Sequence, residues 1–157
     1  MCFPLPLPPA ELAHCRRTAA LSQLLAGLAD CPEHEVRTIT QFALVHDIGK
    51  AAIPPSILYK PGPLSSDERT IIQTHTAIGA QALAQTHGTM RTAAVVALQH
   101  HERLDGSGYL GLRGSEIHPH AKLIAVADVF DALIFPPCLQ AIVGHLPHTR
   151  LFDRTGR

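Results

Sequence analysis

The sequence predicts an all-α domain, and three observations predict it. Five segments between Ala10 and Phe135 carry helical patterns, proline- and glycine-rich breaks separate them, and almost nothing shows the alternation of a half-buried strand. With 157 residues, 46% of them apolar and 17% charged, the chain is one domain's worth and buries a single core. There is no internal repeat and no low-complexity tract.

Residues 1–9 read as an extended, poorly ordered lead-in, residues 10–135 as the domain and residues 136–157 as a divergent tail. The first helix spans Ala10 to about Ala29, with Leu21, Leu24, Leu25 and Leu28 marking an inward face that His14 shares two turns earlier. A second starts after Pro32, where Glu33 and Glu35 suit the positive end of the helix, turns Val36, Ile39, Phe42 and Ala43 inward, and stops near Gly49. The segment IPPSILYKPGPLSS holds four prolines and reads as a loop with one helical turn at Ser56–Tyr59. Ser65 and Glu68 form a capping box for a third helix, which runs to about Thr86 with Ile71, His75, Ile78 and Ala82 inward and ends at Gly88. The fourth, Met90 to His101, packs Ala93, Val96 and Ala97; the fifth starts near Pro119 with the run LIAVADVFDALIF. Between them, residues 102–118 hold four glycines and no helical period, a loop long enough to be functional.

Composition excludes several classes. Thirteen basic residues balance thirteen acidic ones, so neither nucleic acid nor an anionic membrane is bound by bulk charge. No apolar run approaches the roughly 18 residues of a membrane span, and MCFPLPLPPA lacks the charged start of a secretory signal. Cys2, Cys15, Cys31 and Cys138 form no CxxC pair, which fits a reducing cytosol. Eleven histidines, several beside carboxylates, point toward metal.

The residues that carry chemistry are buried where they make no sense singly. His46-Asp47 follows FALV at a helix end, and a carboxylate there must be paired or bound to a cation. Lys50, one turn on, could meet a phosphate oxygen. His75 lies between Ile71 and Ile78, His100-His101 closes a helix at the edge of an apolar face, and Asp128 is embedded in IAVADVF. With His14, five helices each deliver His or Asp inward. Imidazoles and carboxylates without paired thiolates suit Fe, Mn, Zn, Ni or Co. Seven candidates exceed one tetrahedral site, so two ions sharing Asp47 would account for them, and such a pair can drive in-line displacement at phosphorus. Hydrolysis of a phosphoester follows as the reaction class. His34, His87, His118, His120, His145 and His148 have no place in this set and read as surface or cap residues; Tyr59, Phe42 and Cys15 read as packing, and Glu102 as an acceptor that orients His100 or His101.

Through HDIGKAAIPPSILYKPGPLSSDE, His75 with AIGAQAL, HHERLDGSGYLGLRG and IAVADVFDAL, residues 10–134 resemble the HD-GYP family of the HD phosphohydrolase superfamily. The resemblance implies an HD-type helical bundle, a centre of two divalent ions (Fe, Mn or another transition metal) and a cytoplasmic bacterial signalling activity. That activity is hydrolysis of cyclic di-GMP to pGpG or GMP by metal-activated hydroxide. It makes His14, His46, Asp47 and Asp128 ligands of one ion, and His75, His100, His101 and Asp47 ligands of the other. It makes Asp47 and Lys50 catalytic, and Lys50, Asp105, Gly106, Gly108, Tyr109 and Arg113 substrate contacts. A signalling-protein partner could dock on the same loop.

Three departures qualify it. The signature's proline is Leu110 here, which removes one fixed φ angle. Members with a third ion carry a glutamate four residues before the first histidine; Ala10 stands there and Glu11 at three, which argues against a third ion. The tail IFPPCLQAIVGHLPHTRLFDRTGR resembles none of the family's arginine-proline-tyrosine continuation, and no regulatory domain precedes the module, as truncation or a reading-frame change would produce. Two alternatives stand beside the phosphodiesterase: a metal-bound nucleotide-sensing or partner-docking module without turnover, and an HD phosphohydrolase of another nucleotide.

Overall fold

The protein, seen as a computed structural model that describes residues 7–135, folds as helices α1 (Pro9–Leu28), α2 (Glu33–Val45), α3 (Pro55–Leu58), α4 (Ser66–Ala84), α5 (Met90–Gln99) and α6 (Pro119–Ile134). Two 3-10 turns, Ile48–Ala52 and Gly114–Glu116, complete it, and no strand occurs among the described residues. The fold class, the single turn before α4 and the long loop between α5 and α6 match the sequence reading. Residues 1–6 of the expected lead-in and the whole expected tail lie outside the described residues, and Pro9 already belongs to α1.

Local chemistry sets the helix starts. Pro9 and Pro119 occupy the first turns of α1 and α6, where a missing N–H costs nothing. Ser65 and Glu68 close the expected capping box at α4, with Glu68 N–H donating to Ser65 Oγ at 3.2 Å and Ser65 N–H to Glu68 Oε2 at 2.8 Å. Helix α1 packs on α2 and α6, α4 packs on α5 and on the 3-10 turn after α2, and Ile39, Phe42, Val96, Ile117 and Ile124 fill the centre.

Four details differ from the sequence reading. The buried face of α1 is His14, Cys15, Thr18, Ala19, Ser22 and Ala26, not the leucine stripe; Leu24 and Leu28 are exposed. Small side chains let α1 lie close to its two neighbours, and that selects the face. On α4 the buried set is His75, Thr76, Gly79 and Leu83, while Ile71 is exposed. Helix α2 ends at Val45, before Gly49, and Gly49 is a contact residue instead of a helix stop. A Cβ there would overlap the His75 carbonyl and lie 2.6 Å from Gly79 N, so the absent side chain lets the turn after α2 press on α4. Phe42 is core as expected, whereas Tyr59 is exposed. No helix among the described residues is long and apolar enough to cross a membrane.

Candidate metal centre

Five helices converge on one buried point. Helix α1 contributes His14, the end of α2 His46 and Asp47, α4 His75, the end of α5 His100 and His101, and α6 Asp128. Their donor atoms form two groups, His14, His46, Asp47 and Asp128, and Asp47, His75, His100 and His101, each with all atoms within 4.8 Å of one another. Asp47 belongs to both. Its Oδ2 lies 3.3 Å from His14 Nε2 and from His46 Nε2, and its Oδ1 lies 3.2 Å from His75 Nε2 and 3.5 Å from His100 Nε2. Asp128 Oδ1 closes the first group at 2.9 Å from His14 Nε2.

The orientation of the rings is fixed from behind. His46, His75 and His100 each turn Nδ1 to the carbonyl three residues earlier (Ala43, Ile72 and Ala97) at 2.7, 2.7 and 2.8 Å. Each Nε2 is thereby left facing the centre, as a metal-binding tautomer requires. The Nε2 of His46 and Oδ1 of Asp47 are buried without a hydrogen-bond partner. Orphaned polar atoms are costly, and a divalent cation among these nitrogens and oxygens would satisfy them, so the residues fit the implied metal.

The loop after α5 lies over the second group. Tyr109 packs on His101 with ring centroids 4.7 Å apart and meets His75 edge-on at 6.5 Å. Gly108 makes this approach possible, because a Cβ there would stand 2.8 Å from the His101 carbonyl. Asp105 and Arg113 pair in an isolated antiparallel bridge, and the Arg113 side chain covers Gly106, whose φ is +81°. Those three residues thus close the loop on itself, while Gly108 and Tyr109 face the centre.

The HD domain family matches residues 7–141. The chain belongs to it. The HD domain is 44% identical over 124 residues to the cyclic di-GMP phosphodiesterase response regulator RpfG of Xanthomonas campestris pv. campestris, covering 78% of this chain and 33% of that protein. It is 42% identical over 123 residues to the 3'3'-cGAMP-specific phosphodiesterase 2 of Vibrio cholerae, covering 77% of this chain and 24% of that one. The solved structure of Bd1817, an HDG"Y"P protein from Bdellovibrio bacteriovorus, superposes with a TM-score of 0.68 at 24% identity, over 86% of this chain and 47% of that chain. The resemblance drawn from the motifs is therefore borne out, and the chain spans a quarter to a third of the length of these curated relatives.

Electrostatically the two groups of this HD domain differ. Burial alone would discharge His14 and His46, but the carboxylates around them prevail: Asp128, Asp47 and Asp131 push His14 up to about 10, and Asp47 and Asp128 push His46 up to about 9. In the second group burial wins, holding His100 below its ordinary value and, with His100 beside it, pushing His101 down to about 2. Asp47 resists burial because Lys50 and His46 hold its carboxyl well below the usual range. Burial lifts the Cys15 thiol to about 12, which suits its reading as core.

Three residues depart from their expected places, and a fourth had none. Lys50 is not free: its Nζ lies 2.7 Å from Asp47 Oδ2 and 3.0 Å from Glu11 Oε2. Glu102 orients neither His100 nor His101; it accepts the backbone N–H groups of Leu110 and Leu112, both at 2.8 Å, and so pins the loop. His120 is largely buried and ties α6 to α2 through Glu35 at 2.9 Å, whereas His118 caps α6 by accepting the His120 N–H. Asp131, absent from the sequence reading, is buried and bonds His14 Nδ1 at 2.7 Å. The signal was present in the spacing: Asp131 follows Asp128 by three residues on one helix face, as Arg17 follows His14.

Proposed function

We propose that this HD domain is a phosphodiesterase that opens cyclic di-GMP to pGpG or GMP with two divalent ions, one held by His14, His46, Asp47 and Asp128 and the other by Asp47, His75, His100 and His101. The observation that carries the reading is the fusion of the two donor groups at Asp47. Two ions in such a site supply a nucleophile from water and neutralise charge at phosphorus. Asp47 offers one carboxylate oxygen to each group and fixes their spacing. Lys50 keeps its ammonium charged between Asp47 and Glu11, and its own field then favours a phosphate oxygen brought beside it. Tyr109 presents a ring against His101 where a base or ribose can lie, and Gly108 admits the loop to that position. Asp105, Gly106 and Arg113 shape the loop from its far side. Its exposed Leu104 and Leu110 support contact with a signalling protein. A second messenger as substrate assigns the work to the cytoplasm.

The test is product analysis after incubating the iron- or manganese-loaded chain with cyclic di-GMP. Linear pGpG or GMP, lost with Asp47→Ala, supports the reading; tight binding without product favours the sensing module. Relatives specific for 3'3'-cGAMP supply a second reading, in which that dinucleotide is the preferred substrate. Parallel assays on both dinucleotides separate the two.

A further inference from the structure

We infer that Asp131, held by Arg17, is the positioning residue that makes His14 a metal ligand. The inference rests on the metal reading above and adds to it a residue that touches neither ion nor substrate. His46, His75 and His100 take their orientation from carbonyls of their own helices, which act within one turn and are neutral. His14 is turned by a carboxylate from another helix, with Asp131 Oδ2 2.7 Å from its Nδ1. That bond places Nε2 at 2.9 Å from Asp128 Oδ1 and 3.3 Å from Asp47 Oδ2. A carboxylate behind a ligating imidazole fixes the tautomer and makes the facing nitrogen a stronger donor than a carbonyl does.

Asp131 is in turn fixed by Arg17. The guanidinium donates through Nε to Oδ1 at 2.7 Å and through Nη2 to Oδ2 at 2.9 Å, a two-pronged grip that leaves the carboxylate one orientation. Oδ2 is therefore shared between Arg17 and His14. Arg17 also lies over the Phe135 ring at 4.6 Å, which anchors its far end at the last turn of α6. His14 is thus held from both sides by α6: Asp128 meets it in front and Asp131 from behind.

The experiment is metal titration of the full 157-residue chain by calorimetry, with zinc or cobalt as the probe, beside the Asp131→Asn and Arg17→Gln variants. Expected are two ions on the unsubstituted chain. In Asp131→Asn one ion should bind as before and the other about 10–100-fold more weakly, with a smaller loss in Arg17→Gln that Arg17→Lys partly restores. Equal affinities for both ions in a folded Asp131→Asn would overturn the inference while leaving the metal reading intact. No ion on the unsubstituted chain would overturn both. A variant that fails to fold is bypassed by nitrogen NMR of the zinc-loaded unsubstituted chain, which should show His14 protonated at Nδ1 and zinc-bound at Nε2. The opposite assignment would overturn the inference.

Discussion

The backbone N–H of Leu110 donates to the carboxylate of Glu102 at 2.8 Å, a bond that a proline in that position could not make. Loss of the signature's fixed φ is thus offset by a second pin on Glu102, beside the one from Leu112. Leu110→Pro should remove one hydrogen bond of about 1.5–3 kcal/mol, the range for a bond to a charged group, and lower thermal stability without loss of bound metal. Glu102→Gln should weaken both pins and release Tyr109 from His101, raising KM more than it lowers kcat. A KM unchanged in Glu102→Gln would dismiss the loop anchor.

Lys50 competes with any ion for Asp47 Oδ2, to which its ammonium lies at 2.7 Å. Lys50→Ala should therefore keep both ions and lose rate, by about a hundredfold if one charge at the phosphorus is removed. Metal content and turnover measured on the same sample check this. Undiminished hydrolysis would take Lys50 out of the mechanism.

The raised histidines set a pH signature. His14 and His46 hold their protons up to about 10 and about 9, against 6.5 for the unfolded chain. Their contribution to the stability of metal-free protein is full below pH 6.5 and is lost as pH rises through those values. Binding at the first group displaces the same protons, so affinity there should rise with pH, by about tenfold per unit for each proton released. His100 and His101, already neutral, give the second group a flatter profile. Melting of chelated and metal-loaded samples from pH 6 to 10 separates the effects. A chelated sample whose melting temperature does not fall across that range contradicts the assignment.

Gly49 permits the closest backbone approach near the site. Gly49→Ala would drive a methyl into the His75 carbonyl and the amide of Gly79, and relief requires the turn to lift from α4. Overpacking of this kind costs about 1–3 kcal/mol, and here it would also displace His75. Calorimetric melting should show the loss, together with weaker binding at the second group. Wild-type stability would mean that the turn shifts freely.

Much of this was legible in the sequence because it is local. Ser65 and Glu68 lie three residues apart and announce α4; Pro32 and the two glutamates after it announce α2. The buried His and Asp residues stood out because each interrupted an apolar run. What failed depends on neighbours far along the chain. The inward face of α1 is set by how closely α2 and α6 approach, so its leucines misled. Gly49 reads as a helix stop by local rules and acts as a spacer against Gly79. Arg17 and Asp131, 114 residues apart, become a pair only when α1 and α6 meet.

The central claim is that two ions share Asp47. The direct measurement is metal content per chain on protein purified without oxygen or chelator, beside Asp47→Ala. Close to two ions are expected on the first and loss of both, with activity, on the second. A folded unsubstituted chain with no ion, or an Asp47→Ala variant with full metal content and full turnover, would contradict it.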